Sequence, residues 1–184
     1  DVVDGMKDLV KSTKKYVGNL KDKIVLDIGC NDGTLLDLFR KESCKTIGIE
    51  PTGAFKDAKK KGHKIYNRYF DLSAAKLIIK EQKKIDIITF TNVFAHIQNY
   101  EQFIIALKKL LSSNGIFVFQ VPHFLKLIKN TEYDTIYHEH ISYFGLKPLI
   151  TFFEKNQMEL FDVIETEIDG GSIRCFVANK GTHT

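Results

Sequence analysis

The chain has 184 residues, of which 43% are hydrophobic and 27% are charged, and its formal net charge is +4. This composition is ordinary for a soluble globular protein, so we interpret residues 1–184 as a single domain. No apolar run approaches the roughly 20 residues that cross a bilayer, which excludes a membrane-spanning helix. The lysines occur in short runs without interleaved aromatic residues, a pattern that argues against a nucleic-acid surface.

The three cysteines, Cys30, Cys44 and Cys175, are widely spaced and form no Cys-x-x-Cys pair. Their odd number and spacing favour neither a disulfide framework nor a structural zinc site, and they predict a reducing compartment such as the cytoplasm. The first residues include neither an initiator methionine nor a signal peptide, so we expect this sequence to be part of a longer protein.

Short apolar strands alternate with amphipathic helices along much of the chain. In chain order, we predict a helix at 5–16, a strand at 24–28, a helix at 34–41, a strand at 45–50, a helix at 54–61, a strand at 64–67, a helix at 72–81, a strand at 85–91, a helix at 100–111 and a strand at 116–121. This alternation predicts a parallel sheet with helices on both faces. We also expect Gly115 to end a helix as its left-handed cap.

The pattern changes at residues 123–144, which contain many aromatic and charged side chains without a sustained period. Irregular stretches of this length are usually functional or disordered, and the aromatic content favours function. A helix at 147–156 and two strands at 158–167 and 172–179 follow. The connection between these strands is so short that they must form an antiparallel hairpin. The predicted fold class is therefore α/β, with a doubly wound sheet whose final hairpin is antiparallel.

The first predicted strand leads into a turn that contains Gly29 and Gly33, and a helix begins directly after it. A backbone without side chains can lie against a ligand there, and the following helix directs its free N–H groups toward it. Glu50 closes the next strand, where a carboxylate can accept hydrogen bonds from a ribose. These elements together predict a nucleoside-binding unit.

The turn reads Asp27-x-Gly29-x-Asn31-x-Gly33, whereas dinucleotide-binding folds carry G-x-G-x-x-G. It resembles the D-x-G-x-G-x-G element of class I S-adenosylmethionine methyltransferases, with Asn31 at the middle glycine. Asparagine tolerates left-handed backbone geometry better than other non-glycine residues, so the departure is mild. The resemblance implies S-adenosylmethionine as the cofactor and a seven-stranded, Rossmann-like methyltransferase sheet.

Within this resemblance, Asp27 would anchor the amino-acid end of the cofactor, Glu50 would accept the ribose hydroxyls, and the chain would turn at Pro51 under the adenine. Asp27 as a loop organiser and Glu50 as a surface acid stay open as alternatives. The predicted cofactor-binding residues are Asp27, Gly29, Asn31, Asp32, Gly33, Glu50, Pro51 and Phe70.

Two polar residues, Asn92 and His96, follow the strand at 85–91. Enzymes that methylate the amino groups of bases carry N/D-P-P-Y/F at this position, and the missing prolines argue against that chemistry. We interpret the amide and the imidazole, four residues apart, as groups that face one cavity.

A second polar cluster, Tyr137-His138-Glu139-His140, lies in the irregular stretch. Burying such a mixture is costly unless it has a purpose. A histidine whose pKa is near neutrality can remove a proton from a carbon beside a carbonyl, which favours acid–base catalysis. A polar surface loop stays open, as does a metal site, although the spacing of the two histidines lacks the i, i+4 geometry of zinc motifs.

The motifs at 27–33, 92–96, 137–144 and 170–174 together resemble the nucleotide-sugar C-methyltransferases. The resemblance implies methyl transfer to a carbon of a nucleotide-linked keto-deoxysugar through an enolate. His140 would be the base, Tyr137 and Glu139 would position it or share its proton, and Asn92 and His96 would lie near the carbonyl oxygen. Arg174 would pair with Glu139 or contact the substrate.

Members of this family are typically about twice as long, with an N-terminal zinc-binding segment and a further C-terminal domain. We therefore expect a nucleotide-sugar partner, and a zinc-binding domain in the full-length protein but no metal in this chain. We expect neither a nucleic-acid nor a membrane partner. A methyltransferase for an oxygen or nitrogen acceptor, and a non-catalytic cofactor-binding module, stay open as alternative functions.

Overall fold

The computed structural model describes residues 2–91, 93–131, 142–166 and 171–183. The strands are β1 (Ile24–Ile28), β2 (Lys45–Ile49), β3 (Lys64–Tyr66), β4 (Ile85–Thr91), β5 (Leu111–Pro122), β6 (Met158–Thr166) and β7 (Ser172–Asn179). The helices are α1 (Val2–Val17), α2 (Thr34–Lys41), α3 (Phe55–Lys60), α4 (Leu72–Glu81), α5 (Tyr100–Leu110), α6 (Phe124–Asn130) and α7 (Leu146–Lys155). A 3₁₀ turn, Phe94–His96, follows β4. No helix among these residues is long and apolar enough to cross a membrane.

The seven strands of the described residues form one sheet in the order β3-β2-β1-β4-β5-β7-β6. Strand β7 is antiparallel to both of its neighbours, and the other pairs are parallel. The predicted fold class, including the antiparallel final hairpin, is confirmed. Because β7 reverses between β5 and β6, the carboxyl ends of β1–β6 all lie at one edge of the sheet, which we call the carboxyl edge.

Successive residues along each inner strand face opposite sides of the sheet, and the side chains on both sides are buried. Val25 packs with the α1 and α2 side chains Leu9 and Phe39, whereas Leu26 packs with α4, α5 and α7. Two helix layers therefore cover the sheet, which explains why its parallel strands are continuously apolar. The free thiols of all three cysteines are buried in this interior.

The predicted left-handed cap at Gly115 is wrong. Helix α5 ends at Leu110, β5 begins at Leu111, and Gly115 does not have a positive φ. The pairing of β5 with β4 shifts register after Ile85, so the residues before Ile116 form an irregular bulge. A Cβ at Gly115 would lie 2.9 Å from the Ile85 carbonyl oxygen. Glycine is needed there for close backbone approach, not for its φ angle.

Arg174 lies in β7 and is completely buried beneath α1. Its Nη1 donates to Asp8 Oδ2 at 2.7 Å and to Ser12 Oγ at 3.1 Å. Its Nη2 donates to the Gly5 carbonyl at 3.1 Å and to Gln120 Oε1 at 3.2 Å. These bonds satisfy much of a buried charge and fasten α1 to the sheet. Arg174 therefore has a structural role in place of the expected substrate contact.

Candidate functional site

The turn between β1 and α2 adopts left-handed backbone geometry at alternate residues. The φ angles are 75° at Gly29, 50° at Asn31 and 80° at Gly33. Asn31 is therefore in the conformation that asparagine tolerates best among residues with a side chain. The Gly29 N–H donates to the Ile49 carbonyl at 2.8 Å, which fixes the turn against the end of β2.

The two glycines of this turn make different close approaches. A Cβ at Gly29 would lie 2.7 Å from Val93 Cγ2, at the end of β4. A Cβ at Gly33 would lie 3.0 Å from both the Ala58 side chain and the His63 ring. Gly29 thus keeps the carboxyl edge open, whereas Gly33 allows α2 to begin close to α3.

Glu50 lies directly after β2 and is 5% exposed. Its Oε2 accepts the Asn31 N–H at 2.9 Å, and its Oε1 accepts the Thr52 N–H at 2.8 Å. The Asn67 side-chain amide donates to the Glu50 carbonyl at 2.8 Å and holds this segment in place. A carboxylate has about four lone-pair positions, so two acceptor positions remain for a ligand. Sequence spacing does not identify Asn67, because this residue lies next to Glu50 only through the pairing of β2 with β3.

Asp27 is 2% exposed at the carboxyl end of β1. Burial raises its pKa to about 7, the hydrogen bond from Thr89 opposes this shift, and the charge of Glu50 adds to it. Thr89 Oγ1 donates to Asp27 Oδ1 at 2.7 Å across the β1–β4 pair. Two neighbouring carboxyl groups inside this edge favour a ligand that carries positive charge.

The Asp32 side chain is bonded to Thr34 and paired with Lys61. Its carboxylate accepts the Thr34 N–H at 3.1 Å and the Thr34 hydroxyl at 2.8 Å. Lys61 Nζ lies 2.9 Å from its Oδ2. Asp32 therefore helps to fix the start of α2 by accepting the N–H of its first residue.

A cavity of about 500 Å³ opens at the carboxyl edge, within the range typical of ligand clefts. Gly29, Pro51, Phe70 and His96, all predicted site residues, line it. We call it the cofactor cavity. Its other lining residues are Ile28, Ile49, Tyr69, Asp71, Phe90, Val93, Ile97, Gln98, Asn99, Gln102 and Phe103. The sequence does not mark the amides among them, because they belong to no spaced motif.

Phe70 forms part of the cavity wall and also contacts the core. Its ring meets Phe103 edge-on, with 5.6 Å between centroids and 72° between planes. The next residue, Asp71, caps α4 by accepting the Ala74 N–H at 2.6 Å. Tyr69 is 78% exposed beside them, at the cavity mouth. These contacts give the cavity an aromatic side with a polar rim.

His96 ends the 3₁₀ turn after β4, and this turn brings the imidazole to the cofactor cavity. The other predicted catalytic residues, Asn92, Tyr137, Glu139 and His140, lie outside the described residues. The structure therefore brings one predicted catalytic side chain to the same cavity as Gly29, Pro51 and Phe70.

Solved methyltransferases have the same architecture. Magnesium protoporphyrin IX methyltransferase from Synechocystis PCC 6803, with bound SAH, superposes with a TM-score of 0.72 at 16% identity, covering 96% of this chain and 83% of that chain. An S-adenosylmethionine-dependent methyltransferase from Clostridium acetobutylicum has a TM-score of 0.69 at 15% identity, with 96% and 91% covered. At these identities the likeness shows the fold.

Curated relatives are similar over part of their length. C-methyltransferase NovU from Streptomyces niveus is 30% identical over 178 residues, which cover 96% of this chain and 42% of NovU. Ubiquinone biosynthesis O-methyltransferase from Pelagibacter ubique is 29% identical over 115 residues, which cover 58% of this chain and 44% of that protein. The chain thus spans less than half the length of these relatives.

A family model described as a methyltransferase domain matches residues 5–163. The match includes the turn with Gly29 and Gly33, Glu50, and the strand end before His96. It also covers every described residue that lines the cofactor cavity. The predicted enzyme class is confirmed: this chain belongs to the methyltransferase domain family.

Proposed function

We propose that this domain transfers a methyl group from S-adenosylmethionine to a carbon beside the ketone of a nucleotide-linked keto-deoxysugar. S-adenosylmethionine is the cofactor of this methyltransferase domain. The observation that carries the proposal is that His96 and Gly29, the first glycine of the turn, line one cavity. The similarity to a C-methyltransferase over 96% of the chain supports carbon as the acceptor atom.

The residues at the carboxyl edge fit the chemical groups of this cofactor. An adenine is flat and apolar on its faces, and Pro51 and Phe70 give the cavity apolar walls. A ribose has two neighbouring hydroxyls, and Glu50 keeps two acceptor positions open. The cofactor's sulfonium and ammonium groups are positively charged, and Asp27 lies buried at the same edge.

Each of these residues would have one task in holding the cofactor. Glu50 would accept the ribose hydroxyls, and the bare backbone at Gly29 would let the ligand approach the turn closely. Asp27 would stabilise the cationic amino-acid end, directly or through water. His96 would lie at the side of the cavity where the acceptor enters.

When bound, the cofactor supplies a methyl group on a positively charged sulfur that leaves as a neutral thioether. His140 would remove the proton from the carbon beside the sugar ketone, and the electron pair of that C–H bond would remain on the sugar as an enolate. Asn92 and His96 would stabilise the enolate oxygen by hydrogen bonding. The enolate carbon would then bond to the methyl group as the methyl–sulfur bond breaks, with both reactants held in contact.

Proton exchange tests the base directly. A nucleoside diphosphate keto-deoxysugar is incubated with the protein in deuterium oxide without a methyl donor, and NMR follows deuterium uptake beside the ketone. Wild type should exchange this proton, and His140→Ala should not. His183→Ala is the matched control, since this ring stacks on Phe161, which lies in β6 away from the cofactor cavity. Equal exchange in His140→Ala and wild type would remove His140 as the base.

An oxygen acceptor is the second candidate, because the relative from Pelagibacter ubique is an O-methyltransferase. Such a reaction needs no proton removal from carbon. Methylation of a small alcohol or phenol, without deuterium uptake at any carbon, would favour this candidate over the first. Tight cofactor binding with neither reaction would favour a non-catalytic module.

A further inference from the structure

Three aromatic rings meet where the 3₁₀ turn after β4 packs against the start of α5 and the chain before α7. Phe94 begins the turn and is 1% exposed. The centroid of its ring lies 5.3 Å from that of Tyr100, the first residue of α5, and 5.2 Å from that of Phe144. The rings of Tyr100 and Phe144 also meet edge-on, with 6.0 Å between centroids. We call these three residues the aromatic trio.

The Tyr100 hydroxyl joins two segments of the chain by hydrogen bonds. It donates to the Phe94 carbonyl at 3.0 Å. The Ile97 N–H donates to the same carbonyl at 3.4 Å, which is longer than the usual range for an N–H···O bond. The Ser142 hydroxyl donates in turn to the Tyr100 oxygen. Tyr100 therefore reinforces the 3₁₀ turn and connects it to the chain at Ser142.

The protonation state of Tyr100 suits this connection. Burial raises the pKa of Tyr100 above its ordinary value, and the hydrogen bond from Ser142 opposes the rise. The phenol therefore stays neutral at physiological pH. A neutral phenol has one O–H to donate and lone pairs that accept, which matches a carbonyl and a hydroxyl as partners.

The two segments that Tyr100 connects carry residues of the proposed acceptor site. The 3₁₀ turn ends at His96, which lines the cofactor cavity. Ser142 follows His140 by two residues in the sequence. The aromatic trio is also continuous with the cavity wall, because the Phe103 ring, which lines the cavity, lies 5.5 Å from the ring at the start of the turn.

Backbone bonds hold the same segment from another side. The Phe124 N–H donates to the Phe144 carbonyl at 3.1 Å, and Phe144 pairs with His123 in a parallel bridge. These bonds attach the segment beyond the end of β5, whereas the aromatic trio attaches it beyond the end of β4. The chain that follows His140 is thus fixed at two points of the carboxyl edge.

We propose that Tyr100 is a positioning residue of the acceptor site: its hydroxyl keeps the turn that ends at His96 aligned with the chain that follows His140. The proposal rests on the proposed function, in which these histidines stabilise the enolate and remove the proton. A misplacement of about 1 Å can slow a reaction on the order of a hundredfold, so a single hydroxyl can have a large effect. Among the described residues, Tyr100 is not one that lines the cofactor cavity, so cofactor affinity should not depend on it.

Replacing single hydroxyl groups tests this role. Tyr100→Phe keeps the ring and removes the two hydrogen bonds. Tyr66→Phe is the matched control, because its hydroxyl donates to Glu81 Oε2 at 2.8 Å, at the end of α4 far from the cofactor cavity. Deuterium uptake beside the ketone and kcat for methylation should both fall about tenfold in Tyr100→Phe, with KM and SAH affinity close to wild type. Tyr66→Phe should change none of these quantities.

Uptake and kcat that are unchanged in Tyr100→Phe, or that fall equally in Tyr66→Phe, would overturn the positioning role. A rise in KM with kcat unchanged would also overturn it, because the hydroxyl would then affect substrate binding in place of the alignment of the reacting groups.

Ser142→Ala tests the connection itself. It should slow deuterium uptake when Tyr100 is present, and it should add no further loss to Tyr100→Phe, which already lacks the bond between them. Equal slowing in both backgrounds would show that Ser142 acts without Tyr100, which would contradict the proposed connection.

Imidazole signals distinguish failure of the positioning role from failure of the proposed function. In ¹H–¹⁵N NMR spectra without substrate, the His96 ring signals should shift or broaden in Tyr100→Phe, whereas those of His183, which stacks on Phe161, should not. This change in a protein whose wild type neither exchanges nor methylates the sugar would support the positioning role and contradict the function. Exchange and methylation by wild type, with His96 signals unchanged in Tyr100→Phe, would support the function and overturn the positioning role.

Discussion

The backbone N–H of Asn31 donates to Glu50 Oε2 at 2.9 Å, so the glycine turn after β1 and the acid after β2 form one unit. The Thr52 N–H occupies the other carboxylate oxygen. Glu50 thereby stabilises the turn and still has acceptor positions for a ligand. The two sequence features that predict nucleoside binding are thus directly bonded to each other.

Glu50→Gln should weaken cofactor binding and loosen the turn. Glutamine replaces one carboxylate oxygen, an acceptor, with an amide NH₂, a donor that would face a backbone N–H. Hydrogen bonds to charged groups contribute about 1.5–3 kcal/mol. We expect SAH affinity to fall by roughly tenfold to a hundredfold in calorimetry. Glu154→Gln, an exposed residue on α7, is the control. Unchanged affinity in Glu50→Gln would contradict the assignment of Glu50 to the ribose.

The effect of a substitution at Asn31 on stability should depend on how well the new residue tolerates its backbone geometry. Its φ of 50° suits glycine, whereas this backbone conformation costs a β-branched residue about 1–2 kcal/mol of folding free energy. Asn31→Gly should therefore change the free energy of unfolding little, and Asn31→Val should lower it by about that amount. Urea denaturation measures both. Equal destabilisation by the two variants would show that the asparagine side chain, and not the backbone, matters here.

Gly29→Ala should abolish cofactor binding. The added methyl would lie 2.7 Å from Val93 Cγ2, and the φ of 75° is unfavourable for alanine. Gly53→Ala is the matched control near the cofactor cavity, because a Cβ there meets no atom within 4 Å. Val93→Ala in the Gly29→Ala background should restore part of the affinity by removing the clash while the backbone strain remains. No restoration would indicate that strain alone accounts for the loss.

Asp27 should make stability and ligand binding depend on pH. Its pKa is about 7 when folded, against 3.8 for an ordinary aspartate, so the folded protein holds this proton up to a higher pH. The stabilising contribution of the neutral carboxyl is present below about pH 4 and is lost as the pH rises through 7. Wild type should therefore lose stability between about pH 4 and pH 7 relative to Asp27→Asn, which keeps the Thr89 hydrogen bond.

Ligand affinity should follow the opposite trend. A cationic ligand favours the ionised carboxylate, so SAH affinity of wild type should rise as the pH increases through about 7. Asp27→Asn should bind more weakly at pH 8 and show a flatter profile. Parallel pH profiles for the two proteins, in either stability or affinity, would contradict this account of Asp27.

The regular elements could be predicted from periodicity because their patterns are local. The sequence limits of β1, α2, α4 and β4 match those of the structure, and the glycine turn was found from spacing alone. Contacts between distant segments could not be predicted this way. Arg174 turns under α1 because Asp8 and Ser12 lie there, and Thr89 reaches Asp27 only across the sheet. The prediction for Gly115 is wrong because this glycine is required by a close contact with another strand, at the Ile85 carbonyl.

Asp32 shows the same limit inside the glycine turn. Spacing places it among the cofactor residues, yet its carboxylate is bonded to Thr34 and paired with Lys61. This carboxylate satisfies one of the free N–H groups at the start of α2, that of Thr34. Local hydrogen bonding therefore decided its orientation, which a motif defined by spacing does not describe.

The position of the transferred methyl group tests the central claim most directly. The protein is supplied with S-adenosylmethionine labelled with ¹³C in the methyl group and with a nucleoside diphosphate keto-deoxysugar, and the product is examined by ¹³C NMR. We predict a labelled methyl whose ¹³C shift is typical of an alkyl group and whose protons show a long-range proton–carbon correlation to the carbon beside the ketone. A labelled methyl with the shift of a methyl ether or an N-methyl group would contradict carbon methylation.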